Sequence, residues 1–449
     1  VDSSTPKYKA YSLQNYRDIP QLRRLPDEVL SAMNIVGLVL PFKTNHYVID
    51  HLIDWKNALD DPMFILTFPQ RGMLLPEHYD EMEWALKNKT DRHDVQETAN
   101  NIRLKLNPHP AGQLEHNVPM LGDQRLHGMQ HKYRETVLFF PSQGQTCHAY
   151  CTFCFRWPQF VGMNEFKFAS RETQSLVDYL KAHPEVMDIL FTGGDPMIMR
   201  AKHLAAYMEP LLADGLPNLR RIRIGTKALS YWPYRFTHDD DADELMTLLK
   251  KIIDAGKHLA IMAHFNHPVE LSTPAVREAI KRLRGIGAEI RTQSPVLSHI
   301  NDKPDVWAKM WTEQVNLGLI PYYMFVVRDT GAQHYFGVPL VRAWEIFRDA
   351  YQQTSGLSRT ARGPSMSSNP GKAQVLGVSE INGERVIVLR FLQGRNPKWV
   401  QRPFFAKYND KAMWIDDLEP VNGDKFFFEE ELENFYREKI DTVTVDDFE

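Results

Sequence analysis

From about residue 136 onward the chain alternates two hydrophobic rhythms. Short β-branched or aromatic runs recur as ETVLFFPS (135–142), DILFTGG (188–194), RRIRIGT (220–226), HLAIMAHF (258–265), EIRTQSPV (289–296) and PYYMFVV (321–327). Between them, apolar residues fall at helical spacing in RETQSLVDYLKAH (171–183), DADELMTLLKKIIDAG (241–256) and TPAVREAIKRLRGIG (273–287), the last two running into a glycine that can cap a helix end. Strands joined through helices pair in parallel. Six of them predict an α/β fold with a partial (βα)6 TIM-like barrel over 131–356.

Residues 1–130 lack the strand rhythm and carry helix-like segments such as YVIDHLIDWKNAL (47–59), so a helical N-terminal region is expected there. Beyond 356, two β-like runs flank Asn382-Gly383, a dipeptide that favours a tight hairpin turn. A small C-terminal α+β segment, 357–449, should follow the barrel.

Composition narrows the field only slightly. Hydrophobic residues make up 43% and charged residues 24%, as in a globular protein. A formal net charge of -4 argues against a surface devoted to nucleic acid. No apolar run approaches the roughly 20 residues that cross a bilayer. The first twenty residues hold no apolar signal-like stretch, so a cytoplasmic setting is expected.

The cysteines change the picture. All three fall within TCHAYCTFCFRW (146–157), as Cys147, Cys151 and Cys154. Three thiols in eight positions, just after the first expected barrel strand, suit a metal centre better than disulfides in a reducing compartment. Three thiolates can hold three corners of a [4Fe-4S] cluster and leave one iron open. A zinc site completed by His148 and unrelated buried thiols are the alternatives. A second feature, FTGGDP, puts Gly193, Gly194 and Asp195 at the carboxyl end of a strand, where α/β folds place ligands.

The C-x3-C-x2-C loop resembles that of the radical S-adenosylmethionine (SAM) enzymes, which implies the radical SAM type of barrel. In that resemblance the open iron takes SAM, Phe153 covers the adenine, the Gly193-Gly194-Asp195 loop binds the SAM amino group, and Gln293 and His264 are polar contacts near SAM. The stretch from His131 to about Phe391 resembles the lysine 2,3-aminomutase family. CTFCFRWPQFVG, AHFNHP (263–268) and TQSPVLSHIND (292–302) carry that likeness. It implies an isomerase that moves an amino group between adjacent carbons, with pyridoxal 5'-phosphate (PLP) as second cofactor. Counting from Ser355-Gly356 places the PLP lysine at Lys372. The family's phosphate segment falls on His131–Thr136, with Lys132, Tyr133 and Arg134 as its binders, and its substrate-carboxylate arginine on Arg156.

Two departures bear on the substrate. Lysine-specific members hold two aspartates around the distal ammonium; here those positions are Arg328 and Ser365. An arginine repels an ammonium and pairs with a carboxylate. The pattern is similar to that of glutamate-specific relatives and implies an acidic substrate, glutamate going to 3-aminoglutarate. The family's C-terminal zinc cysteines are missing, which leaves the oligomeric state, including a homo-oligomer, open. An electron donor such as flavodoxin or ferredoxin is implied as partner. Alternatives are a relative acting on another small molecule or on a protein residue, and a non-catalytic iron–sulfur protein.

Overall fold

The computed structural model describes residues 7–446, with side chains to Arg437, apart from Thr90, 108–116, 163–167 and Asp214. One sheet of eleven strands dominates: β1 (Met129–Tyr133), β2 (Thr136–Phe139), β3 (Asp188–Phe191), β4 (Arg221–Thr226), β5 (His258–His264), β6 (Glu289–Val296), β7 (Ile320–Val326), β8 (Arg362–Ser367), β9 (Gly371–Ile381), β10 (Glu384–Gly394) and β11 (Pro403–Lys407). They lie side by side in chain order. The six strands read from the sequence are β2 to β7, all parallel. A seventh, β8, continues the parallel run. Its RGPSMS sequence gave no hydrophobic warning.

Although β1 and β8 are seven places apart in the sheet, Lys132 of β1 donates to the carbonyl of Ser368, just past β8. The sheet is therefore curled into a partial (βα)6 barrel. Around it pack α1 (Thr173–Ala182), α2 (Ala201–Met208), α3 (Ala242–Asp254), α4 (Pro274–Gly285), α5 (Pro304–Asn316) and α6 (Leu340–Gln352). α3 shows why they stay there. Leu245, Met246, Leu248, Leu249 and Ile252 form its buried face, each contributing on the order of 1.5–3 kcal/mol.

The two-residue turn at Asn382-Gly383 closes β9 onto β10, with φ of 53° and 83° at its two residues. Both values are left-handed, as this hairpin type requires. The β9–β10–β11 meander adds antiparallel strands directly to β8, so the sheet runs unbroken past residue 356. The N-terminal region holds the helices Asp27–Val39, Pro76–Asn88 and Arg92–Lys105, but also a short pair, Ala10–Ser12 with Lys43–Asn45. Its core is shared with the barrel mouth: Ile35, Val36, Phe64 and Phe68 pack in one cluster with Phe153, Trp157, Leu297 and Phe336. No helix among the described residues is long and apolar enough to cross a membrane.

Candidate active site

The cysteine loop leaves β2 and crosses the barrel mouth, where the N-terminal region holds it by its backbone. Tyr150 N donates to Lys43 O at 2.7 Å, and Thr152 N to Leu66 O at 3.0 Å. Lys43 Nζ donates to Cys147 O at 2.7 Å. The next carbonyl, of His148, accepts from Tyr8 Oη at 2.6 Å and Asn45 Nδ2 at 3.1 Å. A loop with so few bonds of its own takes its shape from these partners. Sequence reasoning gave the N-terminal region no such task.

Burial raises all three thiols, Cys154 to about 12, and repulsion from the neighbouring thiols adds to it at Cys147 and Cys154. Such groups ionise only when a cation offsets the burial. A single zinc ion would draw its sulfurs to about 3.8 Å from one another. Among the described residues, no three cysteine or histidine donor atoms from this loop lie mutually within 4.8 Å, and His148 completes no such set. The zinc alternative does not fit. Three wider-set thiols with Tyr231 Oη 3.3 Å from Cys151 Sγ suit the larger cubane.

The glycine-rich turn packs directly on this loop. A Cβ on Gly194 would meet the backbone of Thr146 at 2.5 Å, and Gly193 has a φ of +147° that side chains rarely adopt. Only glycines allow that approach. Asp195 is buried and faces inward to the fold: it accepts from Thr226 Oγ1 at 2.7 Å, Lys227 N at 2.8 Å and Met197 N at 2.9 Å. Burial nevertheless lifts its carboxyl to about 6. Asp195 thus ties β3 to β4. Phe153 lies 5.8 Å from the His264 ring, and His264 of β5 stands opposite Gln293 of β6. The structure brings these three together. Burial and the Lys227 charge hold His264 neutral, and its Nε2 has no partner among the described residues.

Behind them lies a polar knot that the sequence did not announce. Lys227 Nζ donates to Glu270 Oε1 at 2.6 Å, Asn266 Oδ1 at 2.9 Å and His264 O at 3.3 Å. Glu270 also accepts from Ser230 Oγ and the backbone of Asn266 and His267. Asn266 donates to Ser294 Oγ, and Asn301 bridges to Asn266 O and Pro295 O. The AHFNHP and TQSPVLSHIND motifs are, in large part, this scaffold.

Inside the barrel, a cavity of about 580 Å³ is lined by five cationic side chains, Lys132, Arg156, Arg223, Arg328 and Lys372, against two carboxylates, Asp329 and Asp416. Lys372 on β9 points at rings, with Nζ 4.2 Å from the Tyr323 centroid and 5.5 Å from that of Phe325. Burial, then the charges of Arg223 and Arg362, bring its ammonium down to about 7. Burial and the charges of Arg395, Arg328 and Lys372 also lower Lys132 well below the usual lysine range. Arg156 lies over the Phe140 ring at 4.3 Å, and its Nε and Nη2 are buried without partners among the described residues. Burial lowers its guanidinium to about 10. Orphan donors of this kind fit an anion.

Tyr133 and Arg328 line the same cavity, so Lys132, Tyr133, Arg156, Arg328 and Lys372 are brought together. Two expected residues are not. Arg134 is exposed on the β1–β2 turn, past the end of β1, and does not line the cavity. A cation on that side comes instead from Arg395, whose Nη2 donates to Asn117 Oδ1 at 2.7 Å. Ser365 is buried in β8 with Oγ 3.3 Å from Met324 O, and Ser367 and Ser368 line the cavity in its place. Arg223 was missed, yet its signal was legible. In RIRIG the isoleucines are buried against the helices, so the arginine between them must face the interior, where Asp188 holds its Nε at 2.7 Å.

No protein-family model matches the chain. A putative L-lysine 2,3-aminomutase of Aquifex aeolicus is 27% identical over 400 residues, 89% of this chain and 93% of its own length. The chain is a homologue of L-lysine 2,3-aminomutases. The enzyme of that name from Methanococcus maripaludis is 26% identical over 87% of this chain and 78% of its own, and that from Haemophilus influenzae 27% over 54% and 67%. The relatives it resembles are named as aminomutases, enzymes of the isomerase class. Streptococcus suis SuiB, solved with precursor peptide SuiA, is 13% identical over 61% of this chain and 57% of its own with a TM-score of 0.34, too slight a likeness to carry an argument.

Proposed function

We propose that this chain is a PLP-dependent radical SAM 2,3-aminomutase for a small amino acid with a distal carboxylate, glutamate first, giving 3-aminoglutarate. The observation that carries the reading is the charge of the inner cavity. Five basic side chains against two carboxylates, with two buried Arg156 donors left without partners among the described residues, call for an anionic occupant, and a phosphate with two carboxylates supplies it. A distal ammonium would add to the excess.

On this reading Cys147, Cys151 and Cys154 would hold the cluster, and the Gly193-Gly194 turn, Phe153, His264 and Gln293 would hold SAM beside it. The reduced cluster with SAM supplies a hydrogen-abstracting carbon radical, and PLP carries the migrating amino group. Lys372, already near neutrality at pH 7, offers PLP an uncharged amine without a separate base. Lys132 and Tyr133 flank the phosphate. Arg156 holds the α-carboxylate with the two donors the protein leaves unused. Arg328, against the Phe155 ring at 5.3 Å, reads the far end of the substrate. Electrons arrive from a flavodoxin- or ferredoxin-type donor in the cytoplasm.

The test is a panel of glutamate, lysine, alanine and arginine incubated with the reduced, reconstituted protein and SAM, with β-amino products identified by mass spectrometry. Glutamate should be converted best. Faster turnover of lysine overturns the substrate assignment.

A further inference from the structure

A second recess lies outside the barrel, between α6 and strands β8 to β10, with about 610 Å³ of room. Four arginines line it, Arg348, Arg359, Arg362 and Arg390, and no carboxylate does. Arg390 is committed to Gln374 and Gln401. The others keep donors to spare. Arg359 uses Nε on Tyr351 O at 2.9 Å, and Arg348 uses Nε on Asp349 at 2.8 Å. Arg362 lies over Tyr322 and Tyr323, 4.4 and 4.3 Å from their centroids, its guanidinium with no hydrogen bond to the described residues. Arg348 shares its charge with Asp349, but Arg359 and Arg362 have no carboxylate partner among the described residues, and planar guanidinium donors in that state are the chemistry that binds phosphate groups.

The groove is also tied to the active site by one ring. Arg362 and Lys372 both lie against Tyr323, Arg362 lining the outer groove and Lys372 the inner cavity. The structure assigns this groove as a binding site for a small polyanion of the pyrophosphate class, whose occupancy offsets the Arg362 charge and thereby makes the Lys372 nitrogen hold its proton more tightly. The linkage half of this statement rests on the reading of Lys372 as the PLP lysine; the binding half does not. The charged groups facing Lys372 are Arg223 from β4, Arg362 from β8 and Lys132 from β1, beside the Tyr323 ring of β7. Of these, Arg362 is the one that also lines the outer groove. An anion there therefore reaches Lys372 through that single charge, and the sign is fixed: less positive charge nearby raises the proton affinity of the nitrogen.

The probe is inorganic pyrophosphate added to PLP-saturated protein, so that the inner phosphate site is filled. Calorimetry should find one pyrophosphate per chain, bound roughly tenfold or more weakly by an Arg348→Ala/Arg359→Ala double variant. Equal affinity in the double variant overturns the site. The linkage is read from the pH midpoint of the Lys372–cofactor absorbance. Pyrophosphate should move it up by roughly half a unit or more in the wild type. Arg362→Gln should do the same with no pyrophosphate present. Binding with an unmoved midpoint overturns the linkage. If no Lys372–cofactor absorbance forms even without pyrophosphate, the PLP reading fails instead; the linkage is then read from the pH dependence of competitive acetylation at Lys372.

Discussion

Lys227 and Lys372 both lie inside one barrel, Lys227 buried and Lys372 half-buried on the cavity wall, and their surroundings differ in kind. Lys227 sits in a knot behind the cysteine loop with three oxygens on its ammonium, one of them a carboxylate 2.6 Å away. Lys372 has no carboxylate and no hydrogen bond among the described residues, only aromatic rings and repelling arginines. A buried charge that is fully paired serves the fold, because removing one partner strands the other. One left unpaired costs the fold something and is retained for a ligand. Arg156 belongs with Lys372, and Asp195, ringed by donors, with Lys227.

The largest effect should come where the two regions meet, at the loop that the knot supports and the cluster occupies. Cys151→Ala should abolish the cluster, read as iron and sulfide, and with it reductive cleavage of SAM. Full retention of cleavage would break the assignment of the loop.

Next is the knot itself. Lys227→Ala leaves the Glu270 carboxylate buried without its cation and should cost ~3–5 kcal/mol in chemical denaturation, whereas Lys372→Met should leave stability unchanged or improve it. The same pair separates the regions by chemistry, since only the Lys372 change should remove the lysine that borohydride traps with PLP. Equal destabilisation by the two variants would erase the distinction drawn here.

A smaller effect tests whether Arg328 of the inner cavity reads substrate. Arg328→Ala should lower kcat/KM for glutamate roughly 30-fold or more, about 2 kcal/mol, by removing one partner of a charge-assisted pair. An equal fall for all four amino acids of the panel would mean that Arg328 shapes the cavity without reading the far carboxylate.

The smallest effect is a slope. In the cofactor-free protein Lys372 loses its proton near pH 7, while the unfolded chain keeps it to 10.5. Between those values the unfolded state binds more protons, so stability should rise with pH by up to about 1.4 kcal/mol per unit. Lys372→Met should flatten that rise.

Much of this was legible in the chain because it is local. Strand and helix periods, the Asn382-Gly383 turn and the spacing of Cys147, Cys151 and Cys154 each depend on residues a few positions apart, where backbone geometry alone sets the outcome. Resemblance carried the reading further, to Arg156, Arg328 and Lys372. It failed at Arg134, which the β1–β2 turn leaves exposed, and at Ser365, which lies deeper in β8 with its hydroxyl on Met324 O.

What the sequence by itself determined was the inventory: a βα barrel, three thiols on one loop, a glycine turn, and enough basic residues for an anionic ligand. Only the tertiary structure decided which of the buried charges are spent and which are free. That Lys227 finds Glu270 while Lys372 finds no carboxylate depends on contacts between distant strands. The same holds for Lys43 and Tyr8, more than a hundred residues before the loop they grip. The proton affinity of a side chain is set by what surrounds it in space, and the curl of one sheet brought those surroundings together.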